Sequence, residues 1–151
     1  MIPAAIHMLK FSENYKGSWL FRAAPIKDLA ALHRGTIKAF IVKLYLPILI
    51  VLGACFIAIF SVRILPDLLI VFLAGCLHTI ISYKLLNDKR YPFSESFEFA
   101  MDMGTAVNIL LMILASVFAL IHLVASLFNY GIYVYLVVLL IATVSSWRNA
   151  F

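Results

Sequence analysis

Charge is the scarcest property of this chain. Asp, Glu, Lys and Arg make up 13% of its 151 residues, where a soluble domain carries about 25%. At the same time 65% of the residues are hydrophobic. A water-soluble fold of this size has too little interior to hide that much apolar surface, which excludes an ordinary globular domain. Cysteine is nearly absent, with Cys55 and Cys76 alone and both inside apolar runs, so a disulfide-stapled secreted scaffold is excluded. The opening MIPAAIHMLK has no basic stretch followed by a long apolar core, and no cleavable signal peptide is expected. Catalytic signatures are missing as well: there is no phosphate-binding Gly-x-x-x-x-Gly-Lys-Ser/Thr loop, no Gly-x-Ser-x-Gly and no His-Glu-x-x-His. Neither an enzyme nor a cofactor is expected.

What is present is a series of long apolar runs. The pattern predicts an all-α integral membrane four-helix bundle preceded by an amphipathic interfacial segment. Residues 1–36 form that cytoplasmic segment and 37–151 the transmembrane domain, with spans at 37–62, 67–86, 106–128 and 131–147. Each has roughly the 20 apolar residues a crossing needs. Arg63 to Asp67, with Pro66, interrupts the first pair, and Asn129-Tyr130-Gly131 marks a tight hairpin between the last two. Pro47 predicts a kink in the first span.

The basic residues set the orientation. Lys10, Lys16, Arg22, Lys27, Arg34, Lys38 and Lys43 precede the charge-free part of span one; Lys84, Lys89 and Arg90 follow span two; Arg148 follows span four. The opposite side receives Arg63 alone. Positive residues favour the cytoplasmic face. The expectation is a multi-pass protein of the cell membrane with both termini in the cytoplasm and Trp147 as an interfacial anchor. The net charge of +5 therefore fits a membrane surface, and no nucleic-acid partner is expected.

Within the segment 12–34, Ser12 is suited to cap a helix starting at Glu13, and Tyr15, Trp19 and Ala23 fall near one helical face. It reads either as a plain lead-in to span one or as a surface that docks a partner through Trp19 and Arg22. The loop 87–105 adds Phe93, Glu95, Phe97 and Glu98; the spacing of Glu95, Glu98 and Asp102 puts three carboxylates on one helical face. That face is either solvated or a further docking surface.

Inside the spans, small and polar residues recur at helical spacing: Ala54 and Ala58; Ala74, His78 and Ser82; Asn108, Ala115, Ala119 and His122; Tyr135, Ala142 and Ser145. Helices in lipid associate through such stripes. His78, His122 and Asn108 are the intramembrane polar candidates, because ionisable groups at that depth are costly and often functional. A neutral histidine needs only hydrogen-bond partners, and a structural role is favoured for both His78 and His122, with Ser116, His122 or Ser145 expected to supply the partner of His78. No metal site is expected, since no pair among the two cysteines and these histidines has a zinc-site spacing.

Two stretches, Ser12–Pro25 (SENYKGSWLFRAAP) and Tyr91–Glu98 (YPFSESFE), resemble segments of bacterial ABC-2-type exporter permeases, the first lying before a membrane span and the second in a later cytoplasmic loop. Together they cover 22 residues. Such permeases are usually longer, with six or more spans, so the resemblance implies the C-terminal part of one or a shortened relative. It further implies a transporter subunit lacking its own ATPase and a separate ATPase chain docking on the cytoplasmic segments. The alternative is a non-catalytic accessory or scaffold subunit of a larger membrane complex. The lipid bilayer is the first partner in either case, and homo-oligomers are compatible with both.

Overall fold

The structure, a computed structural model, describes residues 2–23, 29–86, 93–99 and 104–150. Its α-helices are α1 (Ile2–Met8), α2 (Trp19–Ala23), α3 (Leu29–Phe40), α4 (Leu46–Phe60), α5 (Leu65–Leu86), α6 (Thr105–Ser126) and α7 (Gly131–Ala150). Among the described residues there is no strand, only a single parallel bridge between Phe11 and Glu95. The chain is all-α. Four helical stretches are long and apolar enough to cross a membrane: Ala30–Phe60, Val62–Leu86, Thr105–Ser126 and Gly131–Asn149. The fold is that of a multi-pass helical membrane protein.

The first crossing is longer than a bilayer requires. Its 31 residues rise about 46 Å, against a hydrocarbon layer of about 30 Å. The helix therefore tilts or projects beyond the lipid, and it runs unbroken through the expected 36/37 division because no proline interrupts it before Pro47. Pro47 has no N–H and crowds the carbonyl one turn back. The chain answers with a π-helical turn at Ile41–Tyr45, in which the Leu46 N–H donates to the Ile41 carbonyl. This turn is how the expected disturbance at Pro47 appears.

The reversal into α5 falls at Ser61, not at Pro66. Ser61 has φ 64° and ψ −179°, a conformation that ordinarily belongs to glycine. A 3-10 turn at Val62–Ile64 follows, and Pro66 sits in the first turn of α5, where its missing donor costs nothing. The α6–α7 hairpin does lie at residues 127–130, close to the expected turn; a Cβ on Gly131 would collide with the Ala125 carbonyl.

α5 is the centre. It packs on α7, α1, α6 and α4, and Gly75 through Ile80 are all buried. Two apolar clusters form along it. One joins Ile70 and Leu77 to Tyr135 and Leu139 of α7. The other gathers Ile6, Ile37, Phe40, Tyr83, Leu86 and Leu111 at the Leu86 end, with Trp147 against it.

Ile6 comes from α1, within the stretch expected to lie on the membrane surface. Ile2, Ala5, Ile6 and Leu9 form one apolar helical face, and that face packs against the second cluster. Further on, the helix expected from Glu13 is not formed. The Ser12 hydroxyl accepts from the Asn14 N–H at 3.1 Å, making a local turn of the kind Ser and Asn favour over helix. A 3-10 turn at Tyr15–Ser18 then leads into α2. Cys55 and Cys76 are both free thiols, the first exposed and the second buried.

Candidate functional site

The intramembrane histidines occupy different surroundings. His78 lies on the buried face of α5 and is 6% exposed. Its Nε2 is 3.1 Å from the main-chain carbonyl of Leu111 on α6, so the N–H donates to that oxygen and none of the side chains expected as partners is used. Ser116 instead bonds the Met112 carbonyl of its own helix, and Ser145 is exposed. Three other cross-helix bonds also end on carbonyls. The Tyr45 hydroxyl donates to the Val71 carbonyl at 2.8 Å, the Tyr135 hydroxyl to that of Phe118 at 3.2 Å, and Lys84 Nζ to that of Asn149 at 3.1 Å. Carbonyls in a helix retain a free lone pair, and in lipid they are the acceptors always within reach.

His122 stands near the other end of α6. Its Nε2 lies 3.2 Å from Asp67 Oδ1, with both side chains about a third exposed. The Nδ1 is enclosed and has no hydrogen-bond partner. The Tyr135 ring sits 6.3 Å away. Asp67 does not stand out in the sequence because it reads there as part of a turn; an acid in the first turn of a span, facing a histidine in the last turns of an antiparallel neighbour, is the signal that could have found it.

Both imidazoles line one cavity of about 410 Å³, together with Ile2, Tyr45, Ile70, Val71, Ala74, Gly75, Ala115, Phe118 and Ala119. It therefore has a polar group at each end and apolar walls between. Asn108 does not join it; it is exposed in the first turn of α6. Among the described residues no three His, Cys, Asp or Glu side chains gather as a metal site would require.

Four of the docking candidates, Phe93, Glu95, Phe97 and Glu98, lie together at a second place, whereas Trp19 stands apart from them in α2. The stretch after α1 and the loop before α6 are hydrogen-bonded as a short ladder: Phe93 N–H to the Leu9 carbonyl at 2.9 Å, Glu95 N–H to that of Lys10 at 3.0 Å, and Ser12 N–H to that of Glu95 at 2.9 Å. Phe11 is buried under it, its ring 6.0 Å from that of Phe97. Trp19, Phe93 and Phe97 are left exposed at 61%, 43% and 49%. Phe93 takes φ 58°, a left-handed conformation that costs a non-glycine residue about 1–3 kcal/mol. Between the two segments lies an open cleft of about 680 Å³ lined by Glu13, Tyr15, Lys16, Ser96, Phe97 and Glu98. Glu95 is half-buried in the ladder and Glu98 exposed in a 3-10 turn, Phe97–Phe99. Arg22 lies in α2. Asp102, the third carboxylate of the expected acidic face, lies outside the described residues.

The class defined by this architecture is a multi-pass helical membrane protein with a small folded module at one end of its bundle. No protein-family model matches the chain, and neither does any curated protein or solved structure.

Proposed function

We propose that this chain is the membrane-embedded subunit of an ABC-2 exporter-like transporter, without an ATPase of its own, and that its end module is the surface on which a separate ATPase chain docks. The observation that carries this reading is the pairing of the two resembling segments. They are some 80 residues apart in sequence, yet Ser12 and Glu95 are hydrogen-bonded and the pair presents three large aromatic side chains to solvent. Two of them, Phe93 and Phe97, belong to the hydrogen-bonded loop, and exposed aromatics held in place suit a protein interface. The Lys and Arg distribution favours the cytoplasmic side for this module, where an ATPase would meet it.

A second reading, an accessory subunit of a larger non-transport complex, draws on α4. Gly53 is the one buried residue described in that helix, so nearly all of its surface is open to lipid or to another membrane chain.

Purification in mild detergent with identification of co-purifying chains tests both. The transporter reading expects a phosphate-loop ATPase that is lost when Phe93 and Phe97 are both changed to Ser while membrane insertion is unchanged. Retention of the ATPase by that variant overturns docking at the module. Recovery of a membrane complex with no ATPase favours the accessory reading.

A further inference from the structure

The cavity between the two histidines has the dimensions and polarity of a lipid site. Its volume of about 410 Å³ falls within the usual range for ligand pockets, about 300–1,000 Å³. Its α5 wall runs from Ile70 to His78, a rise of about 12 Å. From Asp67 to His78 the rise is about 16 Å, close to half of the roughly 30 Å hydrocarbon layer. With Asp67 and His122 at headgroup level, His78 falls near the midplane. On the rim, Ala115 and Ala119 are exposed, so the cavity opens sideways into the bilayer. Ile2 of α1 also lines it, as does Tyr45, whose hydroxyl donates to the Val71 carbonyl of the α5 wall.

The polar end narrows the choice of occupant. The Asp67 carboxylate accepts hydrogen bonds and donates none. Imidazole Nε2 meets one of its oxygens, which leaves acceptor capacity on a side chain 31% exposed. The complementary headgroup carries N–H or O–H donors, as an ethanolamine ammonium does and a choline quaternary ammonium does not.

We propose that this cavity binds one acyl chain of a phospholipid from the leaflet on the Asp67 side, with a hydrogen-bond-donating headgroup held at Asp67 and His122. The part of the chain nearest the headgroup lies along Ile70, Ala74, Ala115 and Phe118 as far as His78, and the rest leaves through the side opening. Nothing in this depends on the ATPase partner or on which side of the membrane is cytoplasmic.

The test uses the full-length protein reconstituted in phosphatidylcholine vesicles with a trace of phosphatidylethanolamine bearing a photoactivatable diazirine in its acyl chain. After illumination, adducts are mapped by mass spectrometry. They are expected at residues 70–78 and 115–122 and to be competed by unlabelled phosphatidylethanolamine. Ala119→Phe, which fills the cavity from its rim, should lower them by about tenfold, with labelling of exposed α4 unchanged. Ala115→Leu serves as a milder second variant, and melting curves show whether each folds. Adducts spread evenly over the exposed faces of α4 and α6, or undiminished in both folded variants, overturn the site. Equal competition by phosphatidylcholine, or no loss of headgroup preference in Asp67→Asn, overturns the headgroup assignment.

Discussion

The most apolar stretches of the first and second crossings are close in hydropathy, and both crossings are of ample length, yet they live in different environments. In the most apolar stretch of the first crossing 11% of residues are buried inside the protein; in that of the second the figure is 39%. The difference lies in what interrupts the aliphatic background. α5 carries Gly75, His78, Thr79 and Ser82 on neighbouring turns, all buried. α4 carries Gly53, Ala54, Cys55 and Ala58, of which only Gly53 is buried. Lipid is as apolar as leucine, so hydrophobicity does not choose which helix goes to the middle. Close approach and hydrogen bonding do.

The two glycines give the sharpest way to break this comparison. A Cβ at Gly75 would collide with the Tyr45 hydroxyl, whereas one at Gly53 would meet Leu68 Cδ1 at an ordinary 3.5 Å. Gly75→Val is expected to destabilise the bundle by about 2–3 kcal/mol through overpacking and loss of the Tyr45–Val71 bond. Gly53→Ala should be neutral or stabilising by up to about 1 kcal/mol. Detergent or urea melting of both variants reads the contrast; equal losses would mean that α4 is packed as tightly as α5.

A smaller effect is expected at His78. His78→Leu removes the bond to the Leu111 carbonyl and should cost about 1–2 kcal/mol. His78→Gln, which keeps a donor, should lose less than half of that. If His78→Gln instead abolishes function at an unchanged melting temperature, the residue handles a proton or a substrate and its role is not structural. Smallest is Ser61→Gly at the α4–α5 reversal. Relief of the positive φ should raise stability by about 1 kcal/mol, seen as a higher melting midpoint; a lower midpoint would mean that the Ser61 side chain contributes more than its backbone conformation costs.

The crossings are legible in the sequence because four apolar runs of span length fit a bilayer and little else, and the hairpin is legible from Asn129-Tyr130-Gly131. The interior is not. His78 and Ser82 are visible as a stripe, but their setting at the centre depends on neighbours that hydropathy does not name. Helical spacing points His78 toward side-chain partners, whereas its acceptor is a carbonyl, a group every residue carries and no sequence pattern marks. The docking of α1 is hidden by its brevity: seven residues are too few for a periodic signal to stand out. The ladder joining residues 9–12 to 93–95 is invisible for another reason. Pairing between segments that distant leaves no local trace, although each segment stands out by itself. Asp67 reads as turn punctuation because its partner, His122, lies on another helix.

The topology proposed is a bundle crossing the membrane four times, with the paired module and the end of α7 on one side. Single-cysteine labelling in intact and permeabilised cells, in a background with Cys55 and Cys76 replaced, tests it most directly. Arg63→Cys should react with a membrane-impermeant maleimide in intact cells, and Lys10→Cys and Arg148→Cys only after permeabilisation. Labelling of Arg63→Cys and Arg148→Cys from the same side would contradict the account.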